Sequence, residues 1–352
     1  MAYNVLILGA SYGSLLGTKL LMAGHHVTLV CRTQTAELIN SKGTEVRIKL
    51  RGEDDFRAIR SGDLPGKLNA VTPEDANPGD YDMVGLAMSE PQYGASSVAT
   101  LMKRIAEARV PCLSIMNMPP LAYLRRIEGI NCDDLEGCYA NPRVWDGFDP
   151  ELVTLCSPDP QAFRPPECEA NVLQVGLPTN FKAAAFACPE HNEMLQAMED
   201  DIAAVTIDGN DVPVKLKKFD SLFVPLAKWS MLITGNYRCM TKDGLRSIKD
   251  AVHTNPEKSE GLYHYVDEIA RKLGADPEDQ VPFEKYANAA KKLLKPSSAA
   301  RSVDSGATQI ERVDCLVQKI GKQLGLANDE AEETIAIVNA LLARNSAAEK
   351  AA

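Results

Sequence analysis

The segment that decides the fold is N-V-L-I-L-G-A-S-Y-G-S-L-L-G, residues 4–17. Its first five residues form a short apolar run typical of a buried strand, and Gly9 ends that run. Over residues 12–23 the apolar side chains recur at helical spacing, and Gly24 follows as a helix C-cap would. A second apolar run at residues 26–31 predicts another strand. The whole strand–helix–strand unit spans about 28 residues, close to the ~30 typical of a dinucleotide-binding βαβ unit.

A loop of small residues joins the first predicted strand to the helix. Small side chains let the backbone approach a pyrophosphate at the helix N-terminus, where free N–H groups and the helix dipole favour an anion. The loop departs from the common G-x-G-x-x-G by one deleted residue and by a serine in place of the middle glycine. Tight strand–helix turns need glycine in any case, so it is the βαβ context that indicates cofactor binding. The predicted cofactor-binding residues of the loop are Gly9, Ala10, Ser11, Tyr12 and Gly13.

The end of the second predicted strand indicates which dinucleotide is bound. NAD enzymes usually carry Asp or Glu there for the ribose hydroxyls, whereas this chain has C-R-T at residues 31–33. The guanidinium of Arg32 can hold a 2′-phosphate through two hydrogen bonds. We therefore expect NADPH/NADP⁺ as the cofactor. The alternative is that Arg32 is a solvated surface residue.

Later segments continue the alternation of strand and helix. Residues 81–87 and 110–116 predict buried strands, and residues 91–108 predict the helix between them. Alternation of this kind is typical of a parallel sheet covered by helices. Two late strands are expected at residues 172–175 and 183–187.

The second half of the chain is predicted to be helical. Helical patterns occur at residues 191–205, 221–234, 257–273, 283–294, 309–324 and 329–342. We therefore expect an α/β protein with two domains. Residues 1–212 would form a Rossmann-type domain with a parallel sheet, and residues 213–352 an all-helical domain for substrate binding or dimerisation.

One lysine stands alone in an apolar, otherwise uncharged stretch, residues 221–236. A helix apolar on every side is normally buried, and a buried ammonium group is costly unless it is paired or its pKa falls. Lys228 is therefore a candidate catalytic residue; the alternative is a lysine whose charged end reaches solvent. Asn236 is expected ~80° away from Lys228 around a regular helix. Asn117, after the predicted strand 110–116, is either a pocket residue at a strand carboxyl end, where we expect it to bind the cofactor as well, or a turn former.

Composition and charge exclude several classes of protein. The 352 residues suffice for two domains, and no apolar run reaches the ~18 residues of a membrane helix. The nine cysteines form no C-x-x-C pair, which argues against a zinc site or disulfide framework and favours a reducing cytoplasm. A net charge of −10 argues against nucleic-acid binding. We expect a small-molecule substrate, no metal, no nucleic-acid or membrane partner, and a homodimer as one assembly open to the chain.

These residues together resemble the ketopantoate reductase (2-dehydropantoate 2-reductase) family, over most of the chain. The likeness begins with the βαβ unit and Arg32, and continues with S-I-M-N-M at residues 114–118. The segment A-K-W-S-M-L-I-T-G-N at residues 227–236 is similar to the helix that carries the catalytic lysine of the family. The likeness ends with P-S-S at residues 296–298 and I-E-R-V-D at residues 310–314.

The resemblance implies hydride transfer from NADPH to the carbonyl carbon of a ketopantoate-like 2-oxo acid. Lys228 would be the general acid, and Asn117 and Asn236 would orient substrate or lysine. Ser298 would match a substrate-binding serine, and Glu311 a functional glutamate that bonds a substrate hydroxyl or pairs with a nearby base.

Four departures from the family pattern affect the substrate more than the cofactor. The glycine loop is one residue short, Leu232 replaces an asparagine, and Met88 or Ser89 stands where a lysine is usual. Arg301 stands where an amide is typical, and could hold a carboxylate as a bidentate clamp. The alternatives are an NADP-dependent dehydrogenase or imine reductase with a different acceptor, and a non-catalytic NADP-binding sensor.

Overall fold

The computed structural model describes residues 1–351 of the chain. These residues form two compact units. The first unit comprises residues 1–88, 92–126 and 143–220, and the second comprises residues 89–91, 127–142 and the chain from residue 221 onward. The expected α/β class, with a mainly parallel N-terminal sheet and a mainly helical C-terminal region, is confirmed. The division at residue 212 stays a prediction, because compact units and independently folding domains are different properties.

The strands and helices alternate in the first half of the chain and helices dominate the second. The strands are β1 (Asn4–Leu8), β2 (His26–Val30), β3 (Glu45–Ile48), β4 (Arg57–Arg60), β5 (Leu68–Val71), β6 (Met83–Leu86), β7 (Cys112–Ile115), β8 (Val153–Ser157), β9 (Gln161–Phe163), β10 (Val172–Leu177), β11 (Phe181–Ala184), β12 (Thr206–Ile207), β13 (Asn210–Asp211), β14 (Leu216–Phe219), β15 (Met240–Thr241) and β16 (Gly244–Leu245). The α-helices are α1 (Tyr12–Met22), α2 (Thr33–Lys42), α3 (Ser96–Ala108), α4 (Leu121–Leu124), α5 (Pro189–Ala204), α6 (Lys228–Met231), α7 (Ile248–His253), α8 (Pro256–Lys272), α9 (Phe283–Ala290), α10 (Ser298–Asp304), α11 (Val313–Gln323) and α12 (Asp329–Ala351).

The main sheet of the first unit has eight strands in the order β14-β11-β8-β7-β6-β1-β2-β5. All neighbours are parallel except β8 and β11, which are antiparallel. The central strand β1 is apolar because both faces are covered: residues 5–8 are all fully buried. The carboxyl ends of β1, β2, β6 and β7 therefore lie along one edge, where ligands of open α/β sheets gather.

A second, four-stranded sheet in the first unit has the order β4-β3-β10-β9. The sequence analysis predicted a strand at residues 172–175 and did not detect β3, β4 or β9. In the structure Val172 pairs in parallel with Glu45, far earlier in the chain. Pairing over such a distance leaves no local pattern in the sequence.

The second unit is built mainly of helices, but the expectation that residues 213–352 are all helical is wrong. Leu216–Phe219 form β14 and belong to the main sheet of the first unit, and a second exception lies in the second unit. Residues 240–245 form the short β15–β16 hairpin, paired between Met240 and Leu245. Arg238 is buried beneath the helices and forms an ion pair with Glu330 of α12 at 2.9 Å. The guanidinium also donates to the carbonyl oxygen of Ala251 and to the hydroxyl of Ser259, both at 2.8 Å. Along residues 1–351 no helix combines the length and apolar character needed to cross a membrane.

A buried lysine makes the stability of the first unit depend on pH. Lys19 of α1 is 1% exposed and donates from Nζ to the carbonyl oxygen of Pro213 at 3.1 Å. Burial, together with Lys215, lowers the pKa of Lys19 to about 7, while Asp211 acts in the opposite direction. The folded protein therefore releases this proton at a lower pH than the unfolded chain does.

We predict that the free energy of unfolding rises between pH 7 and about pH 10. In that window the unfolded chain still binds the proton that the folded protein has lost, which gives a slope of up to about 1.4 kcal/mol per pH unit. Lys19→Met should flatten this slope. Urea unfolding of both proteins at pH 7 and pH 9 measures it, and an equal slope in the two would show that the amine stays charged when buried.

Candidate functional site

The loop after β1 has the geometry of a phosphate-binding turn. Gly9 has φ +104°, and a Cβ atom there would lie 2.6 Å from the carbonyl oxygen of Ala87 and 2.8 Å from Cγ of Met88. No other residue type fits this position. Helix α1 begins at Tyr12 with no acidic side chain in its first turn, and Ser11 makes no side-chain capping hydrogen bond. The helix N-terminus is thus suited to an anion, as a dinucleotide requires.

Two hydrogen bonds converge on the backbone of this loop. The hydroxyl of Ser14 donates to the carbonyl oxygen of Ala10 at 2.7 Å, and Nη2 of Arg164 donates to the same oxygen at 3.0 Å. The hydroxyl of Tyr12 donates to the carbonyl oxygen of Pro160 at 2.9 Å. The loop is therefore joined to the segment around β9, although more than 140 residues separate them in the chain.

Two arginines lie at the end of β2. Arg32 precedes α2 and its side chain makes no capping bond to that helix. Burial raises the pKa of the Cys31 thiol to about 11, against the opposing effects of Arg164 and Arg32. The pKa of Arg164 is in turn lowered by burial and by Arg32. Arg32 is a candidate from the sequence, whereas Arg164 is not, because nothing in the proline-rich stretch around Arg164 indicates that it reaches the glycine loop.

Asn117 lies just beyond β7, at the same edge of the sheet as the glycine loop. Strand β7 pairs with β6, and β6 pairs with β1. The side chain of Asn117 is half-buried. The first unit therefore carries all the predicted cofactor-binding residues, with Asn117 two strands away from Gly9.

The segment around Lys228 is helical, but the continuous helix predicted for residues 221–234 is wrong. The structure has a 3₁₀ turn at Pro225–Ala227, then α6, then a π-helical turn at Leu232–Asn236 and another 3₁₀ turn at Tyr237–Cys239. Lys228 is the first residue of α6 and is half-buried. π-helical turns are rare and are frequent at functional sites.

Side chains from α9, from the N-cap of α10 and from the following 3₁₀ turn bind carbonyl groups of this irregular segment. Tyr286 of α9 donates to the carbonyl oxygen of Met231 at 3.1 Å, and Ser297 donates to that of Asn236 at 2.8 Å. Nη1 of Arg238 donates to the carbonyl oxygen of Thr234 at 3.2 Å. The π-helical turn is therefore specified by its donors, because buried carbonyl groups need partners.

The π-helical turn also changes the relation between Lys228 and Asn236. Eight regular steps would place them ~80° apart, whereas a π-turn contains one extra residue, so about seven effective steps leave them only ~20° apart. Leu232, which stands where the resembling family has an asparagine, is buried at the start of the turn. The π-helical turn thus places Asn236 at nearly the same angle around the helix axis as Lys228.

The two serines at the start of α10 have different surroundings. Ser297 is buried and caps α10: its hydroxyl accepts from the backbone N–H of Ala300 at 3.1 Å. Ser298, the predicted substrate-binding serine, is exposed. Arg301 is also exposed and donates from Nη1 to the carbonyl oxygen of Pro296. Ser298 and Arg301 are therefore one helical turn apart on α10, which begins close to Asn236.

Glu311 lies beside a second, buried glutamate. The backbone N–H of Glu90 donates to Oε1 of Glu311 at 3.3 Å, and the hydroxyl of Tyr237 donates to the carbonyl oxygen of Glu311 at 2.6 Å. Glu90 is 1% exposed, and its carboxylate accepts from the N–H of Ala140 at 3.1 Å. Burial, assisted by the charge of Glu311, raises the pKa of Glu90 to about 7. Glu90 is not a candidate from the sequence. It begins the 3₁₀ turn Glu90–Gly94 after β6.

The thiol of Cys315, four residues after Glu311, interacts with the thiol of Cys138. Cys138 is buried and Cys315, in the first turn of α11, is half-exposed. The hydrogen bond from Cys138, with help from Arg312 and Lys319, lowers the pKa of Cys315 to about 7 against the effect of burial. The same contact raises the pKa of Cys138. The interaction therefore favours the thiolate form of Cys315 over that of Cys138.

Known proteins share a sequence-family model and the fold with this chain. Residues 5–117 match the family model for ketopantoate reductase PanE/ApbA. The crystal structure of a probable 2-dehydropantoate 2-reductase (PanE) from Bacillus subtilis is 17% identical, with a TM-score of 0.62 over 96% of this chain and 99% of that one. The resemblance to the ketopantoate reductases is confirmed. The 2-dehydropantoate 2-reductase from Methylococcus capsulatus is 14% identical, with a TM-score of 0.68 over 97% of this chain and 98% of that one.

A third structure with the same fold carries a different name. D-mandelate dehydrogenase, solved with NADH and anilino(oxo)acetate, is 13% identical, with a TM-score of 0.64 over 97% of this chain and 99% of its own. No curated protein sequence matches this chain. At these identities the structural likeness establishes the fold, and the substrate has to be argued from the residues.

We predict that Gly235→Ala destabilises the protein. A Cβ atom at Gly235 would lie 1.9 Å from the hydroxyl oxygen of Tyr286, so the π-helical turn or α9 has to move. Crowding of this kind typically costs about 1–3 kcal/mol. Thermal unfolding measures the loss, and Tyr286→Phe should reduce the effect of the added methyl group, because it removes the obstructing oxygen.

The matched control is Gly261→Ala, in the middle of α8. A Cβ atom there meets nothing within 4 Å. Alanine favours a helix by up to about 1 kcal/mol over glycine, so this variant should be as stable as the wild type or more so. Equal melting temperatures for Gly235→Ala and Gly261→Ala would contradict the proposed packing of the π-helical turn.

We predict that alkylation of Cys315 by iodoacetamide is half-maximal near pH 7, because the thiolate is the reactive form. Peptide mapping by mass spectrometry follows the rate at each cysteine. Cys138→Ala should move the midpoint of Cys315 upward, since it removes the hydrogen bond that stabilises the thiolate. Cys31 is the internal control: it is also half-exposed, but its pKa is raised to about 11. Parallel pH profiles for Cys315 and Cys31 would refute the pairing.

Proposed function

We propose that this protein is an NADPH-dependent reductase that acts on the carbonyl group of a small, ketopantoate-like 2-oxo acid. The observation that carries the proposal is the glycine loop of β1 and α1 beside Arg32, with C-R-T rather than an acid at the end of β2. A dinucleotide has its pyrophosphate at such a loop and its adenosine ribose at such a strand end. The family match over residues 5–117 supports the same cofactor class.

In the proposed reaction the carbonyl oxygen gains negative charge as the carbonyl carbon is reduced. Bound NADPH supplies the hydride. Lys228 donates a hydrogen bond to the carbonyl oxygen, then transfers a proton to it and recovers one from solvent. Asn236, brought towards the direction of Lys228 by the π-helical turn, orients the lysine or the substrate, and Asn117 orients the substrate.

The carboxylate of the substrate needs hydrogen-bond donors of its own, in addition to the lysine that binds the carbonyl oxygen. Ser298 and Arg301 are exposed neighbours on α10 and offer a hydroxyl and a guanidinium, the group best suited to a carboxylate. Glu311 accepts a hydrogen bond from a substrate hydroxyl, as ketopantoate would provide. The backbone N–H of Glu90 holds the Glu311 carboxylate in place.

The second candidate keeps the hydride and changes the acceptor to an imine or another keto group. The buried Leu232, in place of an asparagine, favours it, because the family's amide contact is lost there. A turnover screen of 2-oxo acids and cyclic imines with NADPH separates the two. Tight NADPH binding without turnover of any acceptor would instead indicate a sensor.

We predict that Lys228→Met lowers kcat on the best 2-oxo acid by about 10²–10⁴-fold, the range for loss of a general acid. The methionine keeps the length of the side chain and removes the proton donor. NADPH binding, measured by fluorescence titration, should stay close to the wild type because the cofactor is held by the first unit. Lys242→Met is the control, since Lys242 is exposed and its ion pair among the described residues is with Glu333 at 3.6 Å. Normal turnover by Lys228→Met would refute the mechanism.

A further inference from the structure

Arg164 connects the two places where a dinucleotide contacts a βαβ unit. It follows β9 directly, and its Nη2 atom donates to the carbonyl oxygen of Ala10 in the glycine loop. The same guanidinium acts on the thiol of Cys31, at the end of β2. These positions correspond to the pyrophosphate and to the adenosine ribose of a bound cofactor. Arg164 therefore lies along the adenosine end of the proposed site.

The bond to Ala10 does not account for the presence of an arginine. The carbonyl oxygen of Ala10 already accepts from the hydroxyl of Ser14 at 2.7 Å, so the loop keeps a donor without Arg164. The neighbouring segment is also held independently, through Tyr12 and Pro160. A guanidinium has five N–H donors in a planar fork, and the contact with Ala10 uses one of them.

Arg164 and Arg32 are like charges brought close together. Arg32 lowers the pKa of Arg164, and in the part of the chain that the structure describes no carboxylate is among the groups that shift Arg164. The protein as a whole carries a net charge of −10, so two neighbouring arginines are not typical of its overall charge. A bound anion would offset the repulsion, and a phosphate monoester accepts bidentate hydrogen bonds from arginine.

We propose that Arg164 contacts the 2′-phosphate of NADPH together with Arg32, and that the β9–β10 hairpin is thereby a determinant of cofactor specificity. This inference rests on the proposed function for the identity of the cofactor. It adds a residue from a separate sheet, which the local βαβ pattern does not contain. The 2′-phosphate would replace the solvent around both guanidiniums and remove the unfavourable charge pair.

The test is calorimetric binding of NADPH, NADH, 2′,5′-ADP and 5′-AMP to the full chain, without substrate. Arg164→Ala should weaken NADPH and 2′,5′-ADP by about 10- to 100-fold, the range for a lost hydrogen bond to a charged group. NADH and 5′-AMP, which lack the 2′-phosphate, should bind within twofold of the wild type. Arg164→Lys should lie between, because it keeps the charge and loses the fork. Arg32→Ala should behave like Arg164→Ala.

The control is Arg51→Ala, an exposed arginine of the same unit, which should change no dissociation constant. Unchanged NADPH binding by Arg164→Ala overturns the inference. An equal loss for NADPH and NADH also overturns it, since Arg164 would then act on the loop or pyrophosphate. A wild type that binds NADPH no better than NADH overturns it as well. Because binding is measured without substrate, a protein that shows the predicted 2′-phosphate dependence but reduces no acceptor refutes the proposed function and leaves this inference supported.

Discussion

The second unit depends on one constraint: the carbonyl groups around the π-helical turn at Leu232–Asn236 must each receive a hydrogen bond. A buried carbonyl without a donor costs about 1–3 kcal/mol, and the turn is buried from Leu232 to Gly235. Two of the donors are distant in the chain, Tyr286 of α9 and Ser297 at the N-cap of α10, and the third is Arg238 in the turn that follows Asn236. Arg238 then continues the network to α8 and α12, through Ser259 and Glu330. The position of Lys228 and Asn236 thus depends on helices that contain neither residue.

In the first unit the corresponding constraint is steric. Gly9 has no room for a side chain because the backbone after β6 lies 2.6 Å from where its Cβ atom would be. That close approach places the carboxyl ends of β1 and β6 together and leaves the N-terminus of α1 available to an anion. The deletion in the glycine loop is therefore compatible with a phosphate site. Hydrogen bonds from Ser14 and Arg164 to Ala10 stabilise the shortened loop.

Sequence patterns predicted the features that depend on neighbouring residues. The unit formed by β1, α1 and β2 was predicted nearly to the residue, since strand, glycine and helix signals are all local. Lys228 could be selected as a candidate catalytic residue because a lone charge in an apolar stretch is visible without a structure. Its surroundings could not be predicted: the π-helical turn looks like a regular helix in sequence, because the donors Tyr286 and Ser297 lie more than 50 residues away. Arg164 and Glu90 were missed for the same reason, as each becomes informative only through a distant backbone contact.

The division of the second unit among three stretches of chain restricts how this fold can be recombined. Residues 127–142 belong with the helices that follow residue 221: Nζ of Lys319 donates to the carbonyl oxygen of Asp134 at 2.9 Å, and Nε2 of Gln323 donates to that of Asn131 at 2.9 Å. A chimeric gene with a single crossover near residue 220 would combine α11 of one parent with the 127–142 segment of the other. A chimera of two relatives that share so little sequence therefore has to take residues 127–142 and α11 from the same parent. The segment that must be exchanged is thus discontinuous in the gene.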